Sequence, residues 1–251
     1  MNADPLALDR LRVACSNCNL RELCLPLGMS RGEIEQVDNL VATRRRVPRG
    51  EPLFRGGDEF TSLYAVRLGF LKSIVLSADG REQVTGFHMA GELVGMDGIG
   101  TGRHACSTIA LEDSEVCAIP YTRIEEVSAK VPALRGHFHR VMSREIVREH
   151  GVMLLLGSMS AEERLAAFLL NLSQRFEARG YSRSEFVLRM TRAEIGSFVG
   201  LKLETVSRLL SRFAAEGLLE VNQKNVHIVD PAGLRKIVSG QELDCRQDKA
   251  H

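Results

Sequence analysis

The feature that most constrains the fold of this chain is a change in texture near residue 132. Half of the 22 glycines lie between Gly50 and Gly102. Short apolar stretches lie in and just beyond this region: SLYAV, FLKSIVL, EQVTGFHM, ELVGM, CSTIALE and EVCAIP. Short strands separated by glycine turns are typical of a small antiparallel barrel or roll. The sequence Ala78-Asp79-Gly80, between the second and third stretches, predicts a hairpin turn.

Beyond Pro132 the glycines become sparse and helix-forming residues dominate. Apolar residues at helical spacing predict one helix before the glycine-rich region and four after it, at 29–42, 135–156, 161–176, 191–199 and 202–214. Residues 217–230 predict a two-stranded hairpin. We therefore expect an α+β chain that runs from an antiparallel β-roll through a long helix to a helical domain ending in a hairpin.

Composition restricts the function classes. The chain has 251 residues, of which 44% are hydrophobic and 26% charged, which is the profile of a globular protein. A formal net charge of +1 excludes coating of nucleic acid by a bulk positive field, but not a local basic face. No apolar run could span a bilayer and the N-terminus has no apolar signal core, so we expect a cytoplasmic protein without a membrane partner. No nucleophile elbow, triad spacing or glycine-rich phosphate loop indicates an enzyme.

Residues 191–214 have the pattern of a helix-turn-helix. Thr191 and Glu194 fit a capping box at the start of the first helix, and Gly200 fits the tight turn before the second. The second helix has an apolar face that we expect to pack inward: Val206, Leu209, Leu210 and Phe213. Its opposite face carries side chains able to contact base edges: Glu204, Ser207, Arg208 and Ser211. An ordinary helix pair with a solvated polar face would show the same pattern.

The hairpin at 217–230 strengthens the DNA-binding interpretation, because it lies where a wing would contact the DNA backbone. Candidate phosphate contacts are Lys202, Arg192, Arg212 and Lys224.

The long helix carries a heptad seam at alternating steps of three and four, in which Glu149 is the one acidic member. Its members are His139, Met142, Ile146, Glu149, Met153 and Leu156. Such a seam favours a two-stranded coiled coil, although a helix packed on its own roll is an alternative. In a parallel pair Glu149 would face its own copy, which would cost the dimer about 1–3 kcal/mol. The dimer is therefore expected to be marginal.

Three cysteines, Cys15, Cys18 and Cys24, lie within ten residues. In a reducing cytosol this spacing indicates a metal or redox site rather than disulfides. Four thiolates are the usual ligands of an iron–sulfur cube, and the distant fourth ligand would be Cys106 or Cys117. A structural Zn site is the alternative, but Zn sites usually pair two CxxC knuckles and only one is present.

Several motifs together carry a resemblance to a known family. They are FRGGD (54–58), EQVTGFHMAGELVG (82–95), VCAIP (116–120), MSREI (142–146), LLLGSMSAEERLAAFLLNLS (154–173) and TRAEIGSFVGL (191–201). With the order of roll, long helix and winged helix-turn-helix, they are similar to the cyclic AMP receptor protein superfamily of bacterial transcription regulators. The stretch LETVSRLLSRF (203–213) resembles the recognition helix of its fumarate and nitrate reduction regulator branch.

The resemblance implies a ligand set and a function. The branch's distant ligand sits in a motif like EVCAIP (115–120), so the implied metal ligands are Cys15, Cys18, Cys24 and Cys117. The implied cofactor is an oxygen-labile 4Fe–4S cluster that promotes homodimerisation and binding to palindromic promoter sites without oxygen. The implied DNA contacts are Thr191, Lys202, Leu203, Glu204, Ser207 and Arg208. The alternative function is a constitutive or thiol-redox regulator with a structural Zn site.

The resemblance also implies partners and a division of the chain. RNA polymerase would contact loops of the roll such as 77–82. Cyclic nucleotide is not expected, because the nucleotide-binding branch holds the phosphate with an Arg-Ser pair where this chain has His104-Ala105. The expected divisions are a cysteine-rich segment at 1–28, a cyclic-nucleotide-binding-like β-roll at 29–134, a dimerisation helix at 135–160, and a winged helix-turn-helix domain at 161–251.

Overall fold

The computed structural model describes residue 24 and residues 32–34, 40–77 and 79–239. Cys15, Cys18, Cys245 and most of the helix expected at 29–42 lie outside this part of the chain. The described residues form two compact units. The first contains the residues up to Leu76 and Thr85–Ser143, and the second contains Ser77–Val84 and the residues from Arg144 onward.

The first unit is built on two antiparallel sheets. Its strands are β1 (Thr43–Val47), β2 (Pro52–Phe54), β3 (Ser62–Leu68), β4 (Phe70–Leu76), β5 (Glu82–Met89), β6 (Leu93–Val94), β7 (Ser107–Ala110) and β8 (Ser114–Pro120). The first sheet has the order β1-β8-β3-β6 and the second β2-β7-β4-β5. The expected antiparallel roll is therefore confirmed. The stretch ELVGM forms only the two-residue β6, because a short 3-10 helix begins at Met96.

The helices follow the roll. They are α1 (Tyr121–Lys130), α2 (Pro132–Ser158), α3 (Ala161–Glu177), α4 (Arg192–Val199), α5 (Leu203–Ala215) and α6 (Pro231–Val238). Short β9 (Glu185–Val187) pairs with β11 (Asn225–Ile228), which pairs with β10 (Leu219–Asn222). The long helix and the terminal hairpin lie where the sequence predicts them, whereas α1, α6 and β9 were not predicted. No helix in the described part of the chain is long and apolar enough to cross a membrane.

Two apolar clusters occupy opposite faces of the sheet that contains β8. Val116 of β8 belongs to an interior cluster between the two sheets, with Leu53, Leu71 and others. Cys117 and Ile119 belong to a second cluster, which includes residues of α1 and α2 and which we call the helix-facing cluster. Because successive side chains of a strand point to opposite faces, one residue step along β8 separates the two environments.

Local hydrogen bonds define the helix-turn-helix. The capping box expected at Thr191 and Glu194 is present, and Ser160 with Glu163 forms a second one at the start of α3. Gly200 ends α4 in the left-handed region, with φ of 68°, as its place in the turn requires. The four residues expected to form the inner face of α5 are all buried: Val206, Leu209, Leu210 and Phe213.

A second glycine, Gly196, allows the close approach of chain segments in this turn. The Leu201 N–H donates to the Gly196 carbonyl at 2.8 Å. A Cβ atom at Gly196 would lie 2.5 Å from the Leu201 carbonyl oxygen. Because the obstructing atom belongs to the backbone, no side-chain rotation relieves the overlap.

We therefore predict that Gly196→Ala destabilises the helix-turn-helix by about 1–3 kcal/mol, since overpacking against backbone forces the two helices apart. Gly157→Ala is the matched control, because a Cβ atom there meets nothing within 4 Å. That substitution should be neutral or stabilising, as alanine favours a helix. Urea unfolding followed by circular dichroism measures both. Equal stability of the two variants would contradict the prediction.

Candidate DNA-binding face and cysteine site

The polar face of α5 starts at its N-terminus. Lys202 is the N-cap residue and is exposed, and the first helical residue, Leu203, is 46% exposed. Glu204 and Arg208 are exposed, one helical turn apart, and Ser207 between them is half-buried. The arrangement presents an acceptor, a hydroxyl and a guanidinium on one accessible face, which are the groups that read base edges in a major groove.

Two other polar residues of α5 are engaged within the protein. The Ser211 hydroxyl donates to the Ser207 carbonyl at 3.1 Å. Arg212 forms an ion pair with Glu162 of α3 and donates from Nε to Glu216 at 2.8 Å. The accessible reading face is therefore shorter than the sequence pattern suggests, and Arg212 is held on the body of the domain.

Residues at the start of α4 tie the wing to the helix-turn-helix. The Thr191 hydroxyl accepts from the Glu194 N–H at 3.2 Å and donates to the Glu194 carboxylate at 2.9 Å, so the hydroxyl serves the cap. Arg192 donates from Nη2 to the carbonyl of Gln223 at 2.8 Å. Burial lowers the pKa of Arg192. Gln223 has a φ of 54° at the tip of the β10–β11 hairpin, so Arg192 fixes a turn in a conformation that few side chains adopt.

The C-terminal end of α2 contacts the turn of the helix-turn-helix through Arg164 of α3. Its Nε donates to the carbonyl of Met159, just after α2, at 2.8 Å. Its Nη1 lies 3.4 Å from the carbonyl of Val199 at the end of α4. A Cβ atom at Gly200 would lie 3.1 Å from both Arg164 and Leu156 of α2. Sequence reasoning did not find this junction, because its key bonds join a side chain to backbone carbonyls.

The predicted dimer seam forms an exposed line on α2. Ile146 and Met153 are 57% and 70% exposed and His139 is exposed, whereas Met142 and Leu156 are half-buried. Val147 and Leu154, seven residues apart, are also more than half exposed and widen the apolar stripe beyond the predicted seam. Exposed apolar residues at this spacing are typical of a helix that pairs with another.

Glu149 lies within this stripe and is exposed. Its Oε1 atom is 3.7 Å from Nη2 of Arg148, which also bonds Glu145. The carboxylate of Glu149 in the seam is therefore not an isolated charge, because the guanidinium of Arg148 lies between it and Glu145.

The two candidate fourth ligands have different environments. Cys117 is buried in the helix-facing cluster, and half-buried Cys24 packs against that same cluster. Cys106 packs against the interior cluster, and its thiol donates to Asp97 Oδ2 at 3.4 Å. Burial, together with the charge of Asp97, raises the pKa of Cys106 to about 12. The thiol of Cys106 is thus protonated at neutral pH. Cys15 and Cys18 lie outside the described residues.

Comparison with known proteins agrees with this architecture. Residues 44–130 match the cyclic nucleotide-binding domain, and residues 163–237 match the Crp-like helix-turn-helix domain. The transcriptional regulatory protein btr of Bordetella pertussis is 51% identical over 95% of this chain and 97% of its own length. The fumarate and nitrate reduction regulatory protein of Escherichia coli is 45% identical over 90% of each chain. Among solved structures, FixK2 from Bradyrhizobium japonicum has a TM-score of 0.71 and 29% identity, over 79% of this chain and 98% of that one.

These relatives are similar along nearly the whole chain, and the matched domains are the roll and the helix-turn-helix described above. The chain therefore belongs to the fumarate and nitrate reduction regulator branch of the cyclic AMP receptor protein superfamily, and it is a transcription regulator with a DNA-binding helix-turn-helix rather than an enzyme.

Proposed function

We propose that this regulator responds to oxygen through a 4Fe–4S cluster held by Cys15, Cys18, Cys24 and Cys117, and that it binds promoter DNA as a dimer when oxygen is absent. The observation that carries the proposal is the shared packing of Cys24 and Cys117. Both lie at the helix-facing cluster, which also contains Leu134 and Phe138 of α2. A change at the cysteines thus reaches the dimerisation helix directly.

The described cysteines suit such a cluster. Cysteine thiolates are its ligands, and an apolar surround limits access of water to them. Cys117 is only 8% exposed and has apolar neighbours on β3 and α1. A bound cluster would supply an oxygen-sensitive bond between the N-terminal segment and β8. The changes in packing and in DNA binding that would follow involve only residues of the protein.

The first consequence is a change in the packing of α2. Leu134 and Phe138 are buried in the helix-facing cluster, and Val141 and Met142 pack against it. Burying one such side chain is worth about 1.5–3 kcal/mol. A few kcal/mol are enough to move a two-state equilibrium from mostly one state to mostly the other. The loss of order at Cys24 therefore needs to disturb only one or two of these contacts to shift a marginal dimer.

The second consequence concerns DNA. Two paired α2 helices would hold two α5 helices about one DNA turn apart, as a palindromic site requires. Within the second unit, Arg164 joins the end of α2 to the helix-turn-helix turn, so the orientation of α2 is passed to α5. Glu204, Ser207 and Arg208 would contact bases, Lys202 and Leu203 would lie at the groove edge, and Thr191 would hold the end of α4 near the phosphates.

We further propose the cytoplasm as the site of action and RNA polymerase as a second partner. The loop at 77–82 is a candidate contact, in which the Ser77 N–H donates to the Arg81 carbonyl at 2.9 Å. We do not propose a membrane as a partner. We do not propose a cyclic nucleotide either, because His104 and Ala105 stand where the nucleotide-binding branch has its phosphate-binding pair.

The first prediction concerns the fourth ligand. Prepared without oxygen, Cys106→Ser should keep the iron and sulfide content of the wild type, whereas Cys117→Ser should lose both. The reason is that Cys117, and not Cys106, packs in the apolar helix-facing cluster together with Cys24. Iron, sulfide and zinc analyses with a visible spectrum measure this. In the wild type, iodoacetamide should modify Cys106 slowly at pH 7, since its pKa is about 12.

Three outcomes would contradict the proposal in different ways. Loss of iron from Cys106→Ser, but not from Cys117→Ser, would exchange the two ligands. A colourless protein with bound Zn would support the constitutive or thiol-redox alternative. A brown dimer that air does not change would leave the cluster in place and refute the oxygen response.

The second prediction concerns the seam. Glu149→Ala should shift the monomer–dimer equilibrium in air toward the dimer by about 1–3 kcal/mol, because it removes a pair of like charges from the interface. Analytical ultracentrifugation in air measures the shift. Glu177→Ala, which removes an acid at the end of α3 outside the stripe, should stay monomeric. A Glu149→Ala protein that also stays monomeric would show that the seam argument is wrong.

The third prediction concerns base recognition. Arg208→Ala should weaken binding to a palindromic target by about 1–3 kcal/mol per lost bidentate contact and relax specificity at one position of each half-site. Ser211→Ala should have little effect, because that hydroxyl is bonded to the Ser207 carbonyl. Lys202→Ala should weaken binding to all sequences alike and reduce the salt dependence. Fluorescence anisotropy with single-base variants of the target separates these results.

A further inference from the structure

Several donors of the loop before β7 converge on one carboxylate, that of Asp97, whose residue is exposed. Asp97 lies in the short 3-10 helix Met96–Gly98. Its Oδ2 atom accepts from the backbone N–H of Ala105 at 2.7 Å and from that of Cys106 at 3.1 Å, and the Cys106 thiol lies 3.4 Å away. Its Oδ1 atom is 3.4 Å from Nδ1 of His104. Successive backbone N–H groups that converge in this way form a binding site for an anion.

The scaffold around these donors is tied down at several points. The Gly57 N–H donates to the His104 carbonyl at 2.7 Å, and the His104 N–H donates to the Asp58 carbonyl at 2.9 Å. Arg103 donates to the Gly57 carbonyl at 2.7 Å. The donors of Ala105 and Cys106 are therefore held in place by the FRGGD segment, independently of Asp97.

The His104 ring fills the space beside the carboxylate. It is only 4% exposed. It stacks on Phe54 with ring centroids 3.7 Å apart and meets the edge of Phe60 at 5.6 Å. His104 is thus packed against two aromatic rings, and the next residue, Ala105, donates its N–H to Asp97.

We propose that Asp97 is an intramolecular anion, which occupies the backbone donors of Ala105 and Cys106 in this cyclic nucleotide-binding domain and keeps them ordered without an external anion. It is a specificity-determining residue, because it both satisfies the donors and repels a phosphate that would compete for them. The carboxylate thereby keeps this loop ordered without an external ligand. The proposal does not depend on the metal cluster.

The same carboxylate also accounts for the state of Cys106. The thiol is the third donor at Oδ2, and burial together with the negative charge of Asp97 raises the pKa of Cys106. Asp97 thus also holds the thiol of half-buried Cys106 as a hydrogen-bond donor.

The test is chemical rescue by an anion in the full-length protein. In Asp97→Ala, hydrogen exchange of the amides at residues 103–107 should accelerate by roughly 10- to 100-fold, because two charge-assisted hydrogen bonds are lost. Inorganic phosphate should restore most of the protection, and potassium chloride of equal ionic strength should not. The wild type should show no phosphate-dependent protection in this segment, because Asp97 already occupies the donors.

Two further variants sharpen the result. Asp97→Asn keeps an acceptor oxygen but loses the charge, so its exchange should lie between those of the wild type and Asp97→Ala, and it provides the same test if the alanine variant does not fold. Asp113→Ala is the matched control. Its carboxylate accepts a single backbone N–H, that of Arg49 at 2.9 Å, and one donor does not make an anion site. Phosphate should not affect it.

Unchanged exchange at 103–107 in Asp97→Ala would overturn the proposal, as would recovery in chloride equal to that in phosphate. Protection of the wild type by phosphate would also overturn it, because it would show that the donors are open to an external anion.

Discussion

The packing of one face of β8 against α2 is the contact on which the rest of the molecule depends. Cys117 and Ile119 project from that face, and Leu134 and Phe138 of α2 complete the apolar cluster. The opposite face of the same strand closes the roll through Val116. A single strand therefore connects the interior of the roll with the long helix. Any event that reorders the chain at Cys24 acts on a surface that is already shared with α2, and the energies involved are those of one or two buried side chains.

The DNA-binding unit is organised by a different kind of interaction. Two capping boxes, at Ser160 and Thr191, fix where α3 and α4 begin. Gly196 and Gly200 then allow the backbone to turn tightly enough to place α5 against α4. Arg164 and Arg192 add side-chain bonds to backbone carbonyls, one at the end of α2 and one at the tip of the wing. Because these bonds have strict geometry, the unit is suited to present a fixed recognition face.

The loop before β7 of the roll is held by hydrogen bonds within the chain. Its donors converge on Asp97, and His104 fills an apolar space between Phe54 and Phe60. The Cys106 thiol donates to Asp97 in this loop. Cys117 lies in the helix-facing cluster, against which Cys24 also packs. The two cysteines are both in or next to strands, yet one is a hydrogen-bond donor to a carboxylate and the other lies among apolar side chains.

The sequence by itself determined the order of roll, long helix and helix-turn-helix, the inner face of α5, the capping box at Thr191 and the turn at Gly200, because each depends on residues that are close together in the chain, but it missed α1, α6 and β9. It also indicated the polar face with Glu204 and Arg208. It did not reveal Arg164, Gly196 or Asp97 as key residues, nor the width of the stripe that includes Val147 and Leu154. Only the tertiary structure decided these, since a side chain that bonds a distant carbonyl, or a missing Cβ that makes room for one, leaves no periodic signal. The environments of Cys106 and Cys117 likewise followed from which face of a strand meets which helix, a matter of long-range packing.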